Sequence, residues 1–292
     1  MIVQRTQGKV CSFLVSAFFL FSSFFSVHAA ESGSIQIKGS DTMVNLGQSW
    51  AEEFMAENPD VSIAVTGGGS GTGIAAIISG TCDLAQSSRD IKPEERAKAE
   101  KSGAPIVETM VAYDGIAVIT HPSNAVAHLN MAQLADIFTG RVTNWKELGG
   151  KDLPLLVLSR ERNSGTHVFF LEHVLRKGDA KGPEEFATTA LMMPSSQAII
   201  QEVQANEAAI SYVGLGYVDP QIKVIPVSKD ETAAPVVPDL ATVQDSSYPI
   251  SRPLLFLTKG EPQGTLKAFI DFVLGAKGQE IVESMDFVPL SA

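Results

Sequence analysis

Residues 61–80, VSIAVTGGGSGTGIAAIISG, decide the fold class by their order. The β-branched run 61–66 reads as a strand, the glycine-rich turn 67–73 breaks it, and a helix follows that ends near Gly80. The same order recurs on both sides. Upstream, 34–38 reads as a strand and 42–57 as an amphipathic helix; downstream, residue 83 begins a third strand and 93–101 a third helix. Further helices are expected at 131–138, 166–176, 196–204, 264–274 and 278–284, and strands at 155–158 and 209–213. Strands that feed helices through short turns define an α/β chain with a largely parallel sheet. Two segments break the rhythm. Residues 106–112 and 116–120 are both strand-like, interrupted by Asp114-Gly115, and a proline-rich stretch, 235–253, leads into the strand 254–258. They are expected to be the two crossings between lobes, with 31–114 and 251–292 forming one lobe and 115–250 the other.

The N-terminus carries Arg5 and Lys9, then an apolar run broken by serines, then Val27-His28-Ala29-Ala30. Basic start, apolar middle and small-residue end are the order of a secretory signal, expected to span 1–29. The run is short of the roughly 20 clean apolar residues of a membrane span. Cys11 precedes the apolar run, the wrong place for a lipid-modified cysteine, so the mature chain is expected to be free in solution. Cleavage removes two positive charges and no negative ones, moving the formal net charge from −11 to −13. No basic stripe exists to release counterions from a polyanion, so nucleic acid is not an expected partner. A small anion is different, because a few dipoles and arginines in a cleft outweigh distant, screened carboxylates. Of two cysteines only Cys82 survives cleavage, so no intramolecular disulfide can form and core burial must supply stability.

Three turns hold hydroxyl residues and glycine between a strand and a helix: Gly39-Ser40-Asp41-Thr42, Gly68-Gly69-Ser70-Gly71-Thr72-Gly73 and Asn163-Ser164-Gly165-Thr166. The first turn of a helix has unpaired N–H donors and partial positive charge, which suits an oxyanion. Glycine permits close approach, and serine and threonine add donors without bulk. Ordinary N-capping uses the same residue types. Three such turns in one α/β chain favour the anion reading. Arg160, four residues before Ser164, adds a guanidinium that can bind two ligand oxygens. Arg162 has the alternative of a surface salt bridge with Glu161 or Glu172.

These stretches, Arg160-Glu161-Arg162-Asn163-Ser164-Gly165-Thr166, Gly39-Ser40-Asp41-Thr42-Met43 and Gly68-Gly69-Ser70-Gly71, resemble the phosphate-binding proteins of bacterial phosphate ABC transporters. The resemblance in motif order covers nearly the whole mature chain. It implies a two-lobed periplasmic-binding-protein (Venus-flytrap) fold of type II, joined by two hinge crossings and closing over dehydrated phosphate. It implies a soluble periplasmic receptor, not an enzyme, that hands phosphate to a membrane permease and ATPase complex, is monomeric and uses no cofactor or metal. Carried over by motif, Thr42 and the Met43 amide bind from the first helix, Ser70 from the second, and Arg160, Ser164, Gly165 and Thr166 from the other lobe. Ser40, Asp41, Gly71, Ser88 and Arg89 complete the candidate set. There is one departure. Where a familiar form of the family has an aspartate after the third strand to accept the ligand's proton, Gln86-Ser87-Ser88-Arg89-Asp90 places Arg89. A buried carboxylate accepts from monohydrogen phosphate and repels sulfate, so selectivity turns on its replacement. Asp41 is the candidate, ahead of Asp90 and Asp114, with simple helix capping as its alternative. Asp41→Asn should then narrow the preference for phosphate over sulfate.

Other functions fit less well. Neither Ser70 nor Ser164 satisfies Gly-x-Ser-x-Gly, and His167 is the one histidine near a turn of interest, so a hydrolase is not signalled. His121, His128 and His173 lack metal-ligand spacing. The glycine turn has no P-loop lysine and no Gly-x-Gly-x-x-Gly, which counts against a nucleotide. Trp50 and Trp145 read as core residues. Sulfate, molybdate and arsenate are the alternatives within binding proteins, and a pure interaction role is the alternative outside them.

Overall fold

The computed structural model describes residues 1–2, 33–103 and 105–290. The expected signal segment, beyond its first two residues, and the cleavage site lie outside the described residues. From the first strand onward the alternation expected from the sequence is present. β1 (Gly33–Gly39) passes through a 3-10 turn, Asp41–Met43, into α1 (Val44–Glu57); β2 (Val61–Thr66) leads into α2 (Ser70–Ser79); β3 (Leu84–Ser87) leads to α3 (Pro93–Lys101). Leu46, Trp50 and Phe54 lie four residues apart on one face of α1 and are buried, Trp50 and Phe54 meeting Phe256 and Phe269 edge-on. The Trp50 indole donates to the Gly278 carbonyl, and that of Trp145 to Ala208. Both tryptophans are core residues.

β4 (Ile106–Thr120) then crosses the molecule. Beyond it come β5 (Leu129–Asn130), α4 (Met131–Phe138), β6 (Leu156–Arg160), α5 (Gly165–Phe170) with a π turn at Leu171–Leu175, β7 (Leu191–Met193), α6 (Ser196–Ala205), β8 (Ala209–Gly214), β9 (Lys223–Ile225), β10 (Val227–Ser228) and α7 (Leu240–Gln244). β11 (Ser251–Lys259) returns, and α8 (Gly264–Leu274) and α9 (Ala276–Ser284) follow.

The main sheet runs β2-β1-β3-β11-β4-β8-β6-β7, with β9 also on β4. β1 pairs β2 and β3 in parallel, as β6 does β7 and β8, so each end of the sheet is a parallel α/β unit. The middle is antiparallel. Residues 106–115 of β4 pair with β11, and 116–120 pair with β8 and β9. The apolar core divides at the same place. One cluster holds Ile35, Trp50, Val111, Ala112, Leu254 and Phe287; another begins at Ile116 and includes Phe138, Trp145, Tyr212 and Ile250. Between the two, on facing strands, Asp114 is in register with Arg252.

The sequence pattern splits β4 at Asp114-Gly115, whereas the structure runs one strand through both. Asp114 spends its carboxylate on Arg252 and the Leu215 amide instead of on a turn. Gly115 is needed for its missing side chain, since a Cβ there would sit 2.7 Å from Val243 and 3.0 Å from Leu215. The helix expected over 166–176 is shorter: it widens into the π turn, and His173 at that turn lies 2.7 Å from the Pro249 carbonyl.

Candidate functional site

The three hydroxyl-rich turns meet where the lobes face each other. Ser40 donates to the Ser88 hydroxyl at 2.8 Å, Ser70 lies 3.3 Å from it, and the Ser88 amide donates to Ser70 at 3.0 Å. Opposite them, Gly165 begins α5 so close to Ser70 that a Cβ would fall 2.2 Å from its Oγ and 2.7 Å from that of Ser88. Glycine is required there by contact. The Thr42 and Thr166 hydroxyls, one from each lobe, are 2.8 Å apart. Ser40, Thr42, Ser70, Ser88, Ser164 and Thr166 are all buried. Among the described residues the amides of Ser70, Gly165 and Thr166 donate to no protein acceptor. They stand at the starts of α2 and α5, where free N–H groups and the helix dipole favour negative charge.

The backbone also joins the lobes. Gly71 donates to the Asn163 carbonyl at 2.9 Å, and the Asn163 side chain donates to the Gly68 carbonyl at 2.8 Å. Gly69, at φ +90°, makes the approach possible: a Cβ there would be strained and would meet the Asn163 carbonyl oxygen at 2.6 Å. The Gly71 amide is thereby committed to Asn163. The Met43 amide closes the 3-10 turn on the Ser40 carbonyl at 3.1 Å.

Arg160, only 2% exposed, spends four of its five N–H donors on protein groups and, among the described residues, keeps one, on Nη2, uncommitted. Nε donates to the Met193 carbonyl, Nη2 to the Pro194 carbonyl, and Nη1 to the Ser196 hydroxyl at 3.0 Å and the Asp41 carboxylate at 2.9 Å. The same Asp41 oxygen accepts from the Ser196 amide and hydroxyl at the start of α6, and Tyr217 donates to the Asp41 carbonyl. Asp41 therefore ties its own lobe to Arg160 and to a helix start in the other. Arg89 turns to Glu95, which it meets with two bonds of 2.8 Å, and the residue that the turn after β3 presents to Ser40 and Ser70 is Ser88. Arg162 is exposed.

One residue absent from the sequence reading is central. Arg252, fully buried on β11, donates from Nη1 to the Ser88 carbonyl at 2.8 Å and from Nη2 to Asp114 at 2.8 Å, the second Nη2 hydrogen being shared between Thr166 at 3.0 Å and Thr42 at 3.2 Å. Burial pushes the Asp114 carboxyl up and the Arg252 guanidinium down, and each partner's charge opposes the other's shift. A guanidinium stays protonated in proteins, and its two bonds to one Asp114 oxygen favour the charged carboxylate against that burial. No local motif marks Ser251-Arg252-Pro253; an alternation reading of β11 could have flagged an arginine among apolar residues.

His167 points elsewhere. Its Nδ1 is 3.2 Å from the Ser159 hydroxyl, which is 2.7 Å from Tyr212, and its ring stacks on Phe186. Burial first, with the charges of Arg162 and Arg160 adding, lowers its pKa to about 4. This serine and histidine lie in the aromatic core of the lobe and not in the cleft. Among the described residues no cluster of His, Cys, Asp and Glu has the makings of a metal site, and no helix is long and apolar enough to cross a membrane.

Two α/β lobes joined by two antiparallel crossing strands, with helix starts and hydroxyls facing each other across the join, define a periplasmic-binding-protein fold of type II. The description "PBP superfamily domain" matches residues 26–277. The chain is 34% identical to the phosphate-binding protein PstS of Bacillus subtilis over 89% of its own length and 82% of that protein's. It is 32% identical to PstS of Pseudomonas aeruginosa, covering 89% and 84%. Among solved structures it is similar to one from Clostridium perfringens, described as a phosphate ABC transporter substrate-binding protein with bound phosphate, at 38% identity and TM-score 0.79, covering 89% of this chain and all of that one. An ABC-type phosphate transport receptor from Vibrio cholerae superposes at TM-score 0.68 and 28% identity, covering 87% and 99%. The chain belongs to the PBP superfamily, in the family of the phosphate-binding proteins PstS.

Proposed function

We propose that this protein is an exported receptor that binds inorganic phosphate between its lobes and delivers it to an ABC importer. The observation that carries the reading is the meeting of donors from both lobes: Thr42 and Thr166 at 2.8 Å, beside two helix starts whose amides have no protein acceptor. Such an array recognises a tetrahedral oxyanion, and the relatives named for phosphate narrow the class. The ligand set comprises the side chains of Ser40, Thr42, Ser70, Ser88, Ser164 and Thr166, the amides of Gly165 and Thr166, and the Arg160 guanidinium. The lobes pivot where β4 passes residues 114–115 and where the chain enters β11 at residues 250–251. The protein catalyses no reaction, acts as a monomer in the periplasm and meets a membrane permease and ATPase complex.

The anion preference is the finer part. Both carboxylates near the cleft, Asp41 and Asp114, are already paired with arginines, and Ser88 is a hydroxyl. A hydroxyl accepts the proton of monohydrogen phosphate and equally donates to sulfate, so a sulfate receptor is the second reading. Calorimetric titration of the ligand-stripped mature chain with phosphate and then sulfate separates them. One-to-one phosphate binding, weakened about 10- to 100-fold in Arg160→Ala, is expected for loss of a charge-assisted bond. Binding of sulfate alone replaces the ligand, and silence towards both removes the receptor reading.

A further inference from the structure

Every turn that supplies the proposed ligand groups of the N-terminal lobe and of α5 is linked, directly or through one neighbour, to a single side chain that lies on neither lobe's turns. Arg252 sits on β11 opposite Asp114 on β4, in the gap between the two apolar cores. Its Nη1 holds the backbone of the turn after β3 at the Ser88 carbonyl, and its Nη2 reaches both threonine hydroxyls. Asp114 fixes Nε and Nη2 at 3.1 and 2.8 Å, the Leu215 amide fixes the other Asp114 oxygen, and the Phe169 ring lies 5.6 Å from the guanidinium carbon.

The direction of the hydrogen bonds matters more than their number. A guanidinium only donates, and the one Nη2 hydrogen that Asp114 leaves is shared between the two threonine oxygens, so both hydroxyls accept from it. Each hydroxyl then has its own proton to place on another acceptor. In the structure the two hydroxyls face each other, and that contact can use one of the two protons. An anion arriving between the lobes receives both. We propose that Arg252 is the positioning residue of the anion site: it sets Thr42 and Thr166 as donors and locks the Ser88 turn, so that the cleft recognises a tetrahedral anion that accepts from both threonines only while the hinge strands are in register. Asp114 cancels its charge, as Asp41 does that of Arg160, which makes Arg252 an organiser of dipoles and leaves the attraction of the anion to the helix starts and the oriented donors. The inference rests on the reading of the site as an anion cleft and not on which anion it takes.

Lysine tests it, because an ammonium keeps the charge opposite Asp114 but lacks the planar fork that spans Ser88, Thr42 and Thr166. Phosphate is titrated calorimetrically into wild type, Arg252→Lys, Thr42→Val, Thr166→Val and the two combinations, with thermal unfolding of each protein as the check that it is folded. Arg252→Lys should weaken phosphate binding about 10- to 100-fold, as expected for losing oriented bonds beside a charge. In either valine background the same change should cost at least about threefold less, because the group it acts through is gone. A folded Arg252→Lys protein that binds within about twofold of wild type overturns the proposal, and so does an equal loss in all backgrounds, which marks a role in stability alone. Should Arg252→Lys lack a cooperative transition, Asp114→Asn, which unfastens the same guanidinium without changing shape, is put through the same cycle and judged by the same two outcomes. If wild type binds sulfate or molybdate in place of phosphate, the phosphate reading falls and the cycle is run with that anion; if none of the three binds, both fall.

Discussion

Arg160 and Arg252 show what a single residue can and cannot announce. Arg160 was legible because it precedes a serine-glycine-threonine turn, a local pattern with a chemical meaning. Its partner was not, since Asp41 is 119 positions away and reads locally as a helix cap. The role of Arg252 has no local signature, for a stronger reason. Its meaning comes from Asp114, Thr42, Ser88 and Thr166, and none of these is near it in the chain. His167, noted only for its place beside a turn, proves to be a buried core imidazole whose pKa falls to about 4. In the unfolded chain its ordinary value is 6.5, so between these values the unfolded state binds the extra proton. Its contribution is complete above about pH 6.5 and is lost progressively as the pH falls towards 4, up to about 3 kcal/mol in all. Urea unfolding of wild type and His167→Gln between about pH 7 and 4.5 checks this: the wild-type free energy should fall more steeply, and parallel curves would rule it out.

Elements are legible in the sequence where signals are periodic and obscured where contacts override them. The bounds of β2, α3, α4 and α8 follow from β-branched runs, a proline at a helix start and apolar spacing. The sequence pattern interrupts β4 at Asp114-Gly115 because Asp-Gly commonly turns a chain; the strand continues because an ion pair and a tight contact to Val243 claim those two residues. β5, β7 and β10 are only two or three residues long, too short for alternation to register. The site itself was legible as three turns, though not their mutual distance. That distance can be tested through the start of α5. Gly165→Ala puts a methyl group 2.2 Å from the Ser70 hydroxyl and 2.7 Å from that of Ser88, both on the opposite lobe. Overpacking of this kind costs about 1–3 kcal/mol, or roughly 5- to 150-fold in affinity if closure bears it. Each lobe keeps its core, so the thermal midpoint should move little. Unchanged anion affinity in a folded Gly165→Ala protein would show that the lobes do not close as tightly as this.

For the whole molecule, the question is what holds two separately cored lobes together. Part of the answer is built from protein groups alone: Asp41 with Arg160 and Ser196, Tyr217 with the Asp41 carbonyl, Asn163 with Gly68 and Gly71. These bonds exist only when the cleft is shut, so they stabilise closure whether or not an anion is present. A ligand then supplies only the remaining difference, in proportion to how much better it binds the closed form. Asp41 is the strongest of these links, since one carboxylate oxygen receives three donors from the other lobe and its side chain is only 18% exposed. Removing such a charge-assisted set costs about 1.5–3 kcal/mol, a shift of roughly 10- to 150-fold towards the open form. Small-angle scattering of ligand-stripped protein should therefore give a larger radius of gyration for Asp41→Ala than for wild type, and saturating phosphate should bring both to the same compact value. Equal radii without ligand would mean that the anion, and not the Asp41 contacts, carries the closure.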